Sequence, residues 1–170
     1  ETRAQFARMV TRMDAYVGEI RNELKQLGIE ENTLLIFTSD NGPHMEGGAD
    51  PAFFANEQTL RGTKRSLYEG GIRVPTIMEW KGTISAGVKS ELPSAFWDFM
   101  PTFDQLTQQT KSWKQKTDGV SILPTITGKG KQKSHKYLYW EFHEEGGRQA
   151  VRQGDWKLIK QKIKSGNPTI

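Results

Sequence analysis

The chain has 170 residues, of which 35% are hydrophobic, and its formal net charge is +4. This length and composition predict a folded, soluble domain or part of a larger one, and they exclude a chain that is disordered throughout. Because the sequence contains no Cys, disulfides, thiolate nucleophiles and Cys-based zinc sites are excluded.

Apolar residues recur at steps of three and four along the first 27 residues, which is the spacing of one face of a helix. They are Phe6, Val10, Met13, Val17, Ile20, Leu24 and Leu27. The spacing predicts a helix from about residue 2 to residue 27. Gly28 is expected to end this helix in a left-handed conformation, with Ile29 folding back onto the last turn.

Residues 33–38 form an apolar run without alternation, which predicts a strand covered on both faces in a parallel sheet. A helix that leads into such a strand is typical of the α/β fold class. The run ends in the polar sequence Ser39-Asp40-Asn41-Gly42-Pro43-His44. Open α/β sheets bind ligands at the carboxyl ends of their strands, so we expect the functional site there.

Asp40 and Asn41 are adjacent oxygen ligands that suit a hard cation such as calcium or magnesium. Asp-Asn-Gly is also a common turn sequence, so the residues alone leave a metal site and a plain turn open. His44 and Glu46 follow within reach and could contribute to a site for a metal or an anionic group. A single His in a loop is, however, more often simply solvated.

Residues 45–73 form a long connection with little periodicity, and such loops in compact domains are usually functional or disordered. Within it, Lys64 lies among three arginines and three flexible glycines. The glycines let the backbone approach a ligand closely while the cations neutralise it, which predicts a phosphate or sulfate ligand. The spacing differs from that of a Walker loop.

The remaining elements change in character along the chain. Residues 74–80 predict a second strand, and residues 98–109 a helix in which Pro101 lies in the first turn or causes a break. After a basic loop, three short runs predict an antiparallel meander: 137–142, 148–152 and 156–160. We therefore expect two parts, residues 1–110 as the α/β part and residues 111–170 as a small-sheet subdomain.

Charge is unevenly distributed, because residues 1–100 hold 11 Lys/Arg against 14 Asp/Glu and residues 101–170 hold 13 against 6. A basic half can bind nucleic acid or a sulfated polymer, but lysines among Gly, Gln, Ser and Thr are more typical of a solvated face. We expect no nucleic-acid partner. No membrane span is expected either, since no run approaches the roughly 18 apolar residues that one needs.

Several motifs occur in the order found in one enzyme family. They are Met13-Asp14-Ala15-Tyr16-Val17-Gly18, Glu31-Asn32-Thr33 leading to Thr38-Ser39-Asp40-Asn41-Gly42, Leu60-Arg61-Gly62 with Lys64, Glu69-Gly70-Gly71-Ile72-Arg73-Val74-Pro75, residues 95–102 and residues 152–158. Together they resemble the later half of the catalytic region of a type I, formylglycine-dependent sulfatase. The resemblance covers nearly the whole chain.

This resemblance implies a fragment of an alkaline-phosphatase-like α/β fold with a small C-terminal antiparallel sheet. It implies that Asp40 and Asn41 help to hold calcium, that Lys64 contacts the sulfate or the formylglycine hydroxyl, and that His44 touches the substrate. The substrate would be a sulfated carbohydrate or an aryl sulfate. The family suggests a periplasmic, extracellular or lysosomal location.

The sequence also departs from the family pattern, because it contains no Cys/Ser-x-Pro-x-Arg motif, the source of the formylglycine nucleophile. We therefore expect the C-terminal part of a longer sulfatase, inactive alone, with the nucleophile and the remaining calcium ligands outside it. Strand edges left without neighbours predict self-association. The alternatives are a phosphatase or phosphodiesterase of the same superfamily and a non-catalytic polyanion-binding module.

Overall fold

The computed structural model of the protein describes residues 1–54, 59–108 and 117–170. The helices are α1 (Thr2–Gln26), α2 (Glu69–Ile72), α3 (Phe99–Leu106) and α4 (Leu123–Thr127). The strands are β1 (Leu35–Thr38), β2 (Thr76–Glu79), β3 (Leu138–Phe142), β4 (Arg148–Gln153) and β5 (Trp156–Gln161). Residue 109 of the predicted helix and the lysines at 111, 114 and 116 lie outside the described residues.

Helix α1 confirms the prediction from apolar spacing, including its end. Gly28 has φ +67, its N–H donates to the carbonyl of Lys25 at 3.1 Å, and the N–H of Ile29 donates to that of Leu24 at 3.1 Å. These two bonds satisfy carbonyls that the end of a helix leaves free. Every residue of the helix is at least partly exposed, so its apolar face is only thinly covered.

Strand β1 differs from the prediction in its pairing. It pairs antiparallel with β2, with Leu35 opposite Glu79 and Thr38 opposite Thr76, and its four residues are half-buried. The prediction of a strand covered on both faces in a parallel sheet is therefore wrong for the described part of the chain. An apolar run indicates that a strand is shielded from water, but it does not indicate whether the neighbouring strand runs parallel or antiparallel to it.

Helix α3 confirms the predicted helix near residue 98 in a shorter form, preceded by a 3-10 turn at Phe96–Asp98. Pro101 is its third residue, in the first turn, where its missing N–H costs no helical hydrogen bond. The short helix α4 was not predicted. It has Pro in its first turn and ends at Gly128, which has φ +66.

The predicted meander is confirmed as a three-stranded sheet in the order β3-β4-β5. Only two residues, Gly154 and Asp155, separate β4 from β5. Because parallel neighbours need a crossover of a dozen or more residues, connections this short require antiparallel strands. Ala150 in β4 and Leu138 in β3 are buried.

The chain divides into two compact units: residues 1–81, 140–150 and 158–170 form one, and residues 82–139 and 151–157 form the other. The predicted boundary between residues 110 and 111 lies outside the described residues and stays a prediction. Among the described helices, none has the length and apolar character required to cross a membrane.

The second unit is organised around a buried carboxylate. Asp98 accepts hydrogen bonds from the backbone of Ala95 and Val120, both at 2.8 Å, and lies 2.7 Å from Nε2 of His135. Asp98 and Thr102 are fully buried. A buried carboxylate is tolerated when donors satisfy its oxygens, so this network holds three separate segments together.

Candidate active site

The polar turn after β1 confirms that the apolar strand ends at Thr38. The Ser39 hydroxyl donates to the carbonyl of Asn41 at 2.9 Å, and Nδ2 of Asn41 donates to that of Gly42 at 2.8 Å. The turn leaves Asp40 exposed and Asn41 half-buried. With Nδ2 directed at the backbone, Asn41 keeps its amide oxygen as the acceptor that can face a ligand.

Three glycines, Gly42, Gly70 and Gly71, bring this turn into direct backbone contact with the loop that carries Lys64, in what is called the glycine junction below. The N–H of Gly42 donates to the carbonyl of Gly71 at 2.9 Å. A Cβ on Gly42 would lie 1.8 Å from the carbonyl oxygen of Gly70, and a Cβ on Gly70 would lie 2.1 Å from that of Gly62. Because neither contact is possible for a side chain, glycine at these positions permits the junction of the two loops.

Lys64 lies on this junction through both its backbone and its side chain. Its N–H donates to the carbonyl of Pro43 at 2.8 Å, and Nζ lies 3.2 Å from Oε2 of Glu46. The backbone N–H of Glu46 donates to Nδ1 of His44 at 3.1 Å. Glu46 therefore connects Lys64 with His44, and the Lys64 side chain remains 34% exposed.

The charge of Glu46 is stabilised by its neighbours. The hydrogen bond from Lys64 lowers the pKa of the Glu46 carboxyl below its usual value, and the nearby Arg65 guanidinium, at 2.7 Å, lowers the pKa further. A carboxylate held between two cations stays ionised at neutral pH. Lys64 and Arg65 thus share one carboxylate partner, Glu46.

The structure does not join all four predicted residues. No hydrogen bond or ion pair links Asp40 or Asn41 to Lys64 or His44 among the described residues. The two segments that carry these residues meet through backbone contacts, such as the hydrogen bond from the Lys64 N–H to the Pro43 carbonyl. Nor do the described residues contain a cluster of three or more His, Cys, Asp or Glu able to hold a metal. Calcium takes six to eight oxygen ligands, so Asp40 and Asn41 fit it as two ligands of a larger shell.

Two ion-pairing residues near Lys64 were missed by the sequence analysis. Arg148 lies 2.6 Å from Glu145, and its Nη1 donates to the carbonyl of Arg65 at 2.6 Å. Both residues lie about 80 positions beyond Lys64 in the chain. No motif in residues 143–148 points to such a site, so only the fold reveals it.

Two family models match the chain. The model described as sulfatase matches residues 1–109, and the model described as N-sulphoglucosamine sulphohydrolase, C-terminal, matches residues 62–165. The chain belongs to the sulfatase family, as its motifs predicted.

Curated relatives are similar over most of this chain. Human steryl-sulfatase is 34% identical over 132 residues, which are 76% of this chain and 23% of the relative. Human arylsulfatase A is 34% identical over 161 residues, which are 91% of this chain and 30% of the relative. The chain therefore spans less than a third of the length of either relative.

Solved structures of sulfatases share the fold. BT4656, solved in complex with its substrate D-glucosamine-2-N,6-O-disulfate, is 26% identical with a TM-score of 0.70, over 89% of this chain and 30% of that one. The PsFucS1 sulfatase from Pseudoalteromonas sp. is 30% identical with a TM-score of 0.72, over 88% and 29%. These likenesses confirm the predicted fold class, a fragment of an alkaline-phosphatase-like sulfatase fold.

Proposed function

We propose that this chain is the C-terminal part of a longer sulfatase, called the complete enzyme below, that hydrolyses a sulfate ester of a sugar or an aryl alcohol. The observation that supports the proposal is the glycine junction, beside which the N–H of Lys64 donates to the carbonyl of Pro43, close in the chain to Asp40 and Asn41. Family membership and a similar structure that binds a sulfated sugar support it. A periplasmic, extracellular or lysosomal location belongs to the same proposal.

Lys64 has the chemistry that sulfate-ester cleavage requires. Negative charge grows on the leaving oxygen in the transition state, and a cation placed in advance stabilises that charge as it develops. An ammonium group has three N–H donors, so the bond from Lys64 to Glu46 leaves two for sulfate oxygens. His44 is proposed to contact the substrate through Nε2, because its Nδ1 accepts a backbone hydrogen bond.

Asp40 and Asn41 are proposed to contribute two oxygen ligands to a calcium ion whose other ligands lie outside this chain. A calcium ion bound there would polarise the sulfate oxygens as a Lewis acid. The nucleophile, a formylglycine in this proposal, also lies outside the chain. This chain alone therefore binds and stabilises the sulfate group but does not attack it.

The proposal is tested by the turnover of p-nitrophenyl sulfate in the presence of calcium. We expect the complete enzyme to hydrolyse it and the 170-residue chain to show no turnover, since the nucleophile is missing. Turnover by the chain alone would refute the proposal that the nucleophile lies outside these 170 residues.

A parallel assay with p-nitrophenyl phosphate separates the proposed reaction from that of a related phosphatase. We expect the complete enzyme to prefer the sulfate ester. A preference for the phosphate ester would replace the sulfatase proposal with a phosphatase. Failure to hydrolyse either ester, combined with salt-sensitive binding of heparin, would instead indicate a polyanion-binding module.

A further inference from the structure

A pocket of about 340 Å³ opens beside Lys64, on the side where the loop of residues 63–68 faces the C-terminal strands. Most of the side chains that line it are polar or charged, among them Lys64, Arg65, Tyr68, Glu145, Arg148 and Gln161. A volume of this size holds a sugar ring or a substituent of one. The pocket shares Lys64 with the proposed sulfate site, so a ligand in one reaches the other.

The charges of this lining are unbalanced. It contains three cations, Lys64, Arg65 and Arg148, and a single carboxylate, Glu145. Glu46, outside the lining, pairs with Lys64 and Arg65, so the group as a whole retains one positive charge in excess. Glu145 lies 2.6 Å from Nη2 of Arg148 but 3.9 Å from Nε of Arg65. The distance from Arg65 Nε to Glu145 is longer than a hydrogen bond. An anion can therefore bind Arg65 through Nε without breaking a hydrogen bond between Arg65 and Glu145.

The two loops that meet at this pocket have unusual backbones. Arg65 has φ 72 and Glu145 has φ 51, values in the left-handed region that residues with a side chain seldom adopt. Such conformations are costly and occur preferentially at functional sites. Arg148 also holds the carbonyl of Arg65 at 2.6 Å, so the two loops position each other's charged side chains.

The uncharged side of the pocket is also fixed in place. Gln161 donates to the Tyr68 hydroxyl at 3.1 Å, and the Arg61 guanidinium stacks over the Tyr68 ring at 3.9 Å. These contacts hold the Tyr68 hydroxyl and the Gln161 amide in place in the lining of the pocket. Preorganised polar groups of this kind recognise the hydroxyls of a sugar rather than an apolar ring system.

We propose that this pocket binds a second anionic group, a sulfate or a carboxylate, of a sugar whose sulfate ester is contacted by Lys64. This inference rests on the proposed function and names its substrate class. Arg65 would hold the group through its Nε edge. Arg148, whose Nη2 lies 2.6 Å from Glu145, would hold it in place of that carboxylate, because guanidinium donors match the planar or forked oxygens of these anions. A simple aryl sulfate has no such group and leaves the pocket unused.

The test measures binding to the complete enzyme by isothermal titration calorimetry. The probes are N-acetylglucosamine 6-sulfate, which has one anionic group, glucosamine 2-N,6-O-disulfate, which has a second sulfate, and 2-O-sulfated glucuronic acid, which has a carboxylate. We expect at least one doubly anionic sugar to bind about tenfold more tightly than the monosulfate, the gain typical of a charge-assisted hydrogen bond. The comparison between the two doubly anionic probes identifies which anion the pocket selects.

Variants with opposite expected effects separate the pocket from a general loss of structure. Arg148→Gln should abolish the preference for the doubly anionic sugar while retaining binding of the monosulfate, and Arg148→Lys should restore part of it. Glu145→Gln should strengthen the preference, because it removes the competing carboxylate. Lys160→Gln is the control, because it also removes one positive charge. Lys160 lies on the face of β5 opposite Ile159 and Gln161, which line the pocket, so this variant should leave the sugar affinities unchanged.

Equal affinities for all three sugars, or a preference that survives Arg148→Gln, would overturn the inference. Turnover of p-nitrophenyl sulfate by the same preparations tests the proposed function separately, since this ester does not use the pocket. An enzyme that hydrolyses the aryl ester without any preference among sugars refutes the inference alone. An enzyme that shows the preference but hydrolyses no sulfate ester refutes the proposed function alone.

Discussion

The side chain of Lys64 combines two roles that one substitution can separate. It is proposed to stabilise the charge of the sulfate group, and in the structure it lies 3.2 Å from Glu46. In the complete enzyme, we expect Lys64→Ala to lower kcat for p-nitrophenyl sulfate by about 100- to 1,000-fold, as the loss of one such donor does in other hydrolases. The matched control is Lys89→Ala, which removes an exposed lysine and should leave kcat unchanged.

The same variant has an expected effect on Glu46 that is independent of activity. Because the Lys64 hydrogen bond is the largest cause of the lowered Glu46 pKa, Lys64→Ala should raise that pKa toward its usual value. In the native chain, the lowered pKa means that the stabilising contribution of Glu46 is present at neutral pH. It is lost as the pH falls through the folded-state pKa.

Nuclear magnetic resonance titration of the Glu46 carboxyl carbon measures this shift. An unchanged Glu46 pKa in Lys64→Ala would show that the ion pair does not form in solution. An unchanged kcat would remove Lys64 from the proposed mechanism. The two readouts are separate, so either part can fail without the other.

At the residue scale, the sequence predicted what lies within short motifs and missed what depends on distant contacts. Asp40, Asn41, His44 and Lys64 were selected from two local segments, and the fold brings those segments together at the backbone. Their roles toward calcium and substrate stay predictions. Arg148 could not be selected from the sequence. It bonds the carbonyl of Arg65, which lies 83 residues away in the chain, and a sequence pattern does not predict so distant a contact.

Helix α3 illustrates how a single buried hydroxyl connects two elements. The Thr102 hydroxyl donates to the carbonyl of Asp98 at 2.6 Å and accepts from the N–H of Ile122 at 2.9 Å. We expect Thr102→Val, which keeps the shape of the side chain, to lower the free energy of unfolding by about 1–3 kcal/mol. The reason is that the buried Ile122 N–H loses its only described acceptor.

Urea denaturation of the 170-residue chain measures this change, with Thr107→Val as the control. The Thr107 hydroxyl donates to the carbonyl of Phe103 in an exposed position at the end of the same helix, so its removal should change stability by less than about 0.5 kcal/mol. Equal losses in both variants would show that the hydrogen bond to Ile122 contributes nothing specific.

At the element scale, the sequence was informative where hydrophobic spacing or turn chemistry decides the structure. The period of α1, the Gly28 that ends it and the short β-rich runs of the meander are local signals, and each was confirmed. The antiparallel pairing of β1 with β2 departs from the predicted parallel sheet, because strand direction depends on tertiary contacts outside the strand. Helix α4, with five residues, is too short to show a periodic pattern.

At the scale of the whole molecule, the surface of α1 predicts association between copies of the chain. Met9, Met13 and Ile20 are 63%, 46% and 51% exposed, and contiguous apolar surface of this kind favours protein contacts. We expect the 170-residue chain to form oligomers whose fraction rises with concentration in light scattering. The double substitution Met13→Lys with Ile20→Lys should reduce that fraction.

Val88→Lys is the control for this prediction, because Val88 is 66% exposed but lies away from α1 in the chain. It should leave the oligomer fraction unchanged. A monomer at all accessible concentrations, or an equal effect of Val88→Lys, would show that α1 does not mediate association.

The glycine junction also limits which substitutions this part of the chain can accept. Gly42, Gly70 and Gly71 each lack room for even one methyl group, since a Cβ on Gly71 would lie 2.1 Å from the carbonyl oxygen of Ser66. A side chain at any of these positions would collide with a backbone carbonyl, so the main chain there accepts no residue other than glycine without shifting. Variation at this site is therefore confined to the side chains that surround the junction, while the main chain beneath them is fixed by glycine.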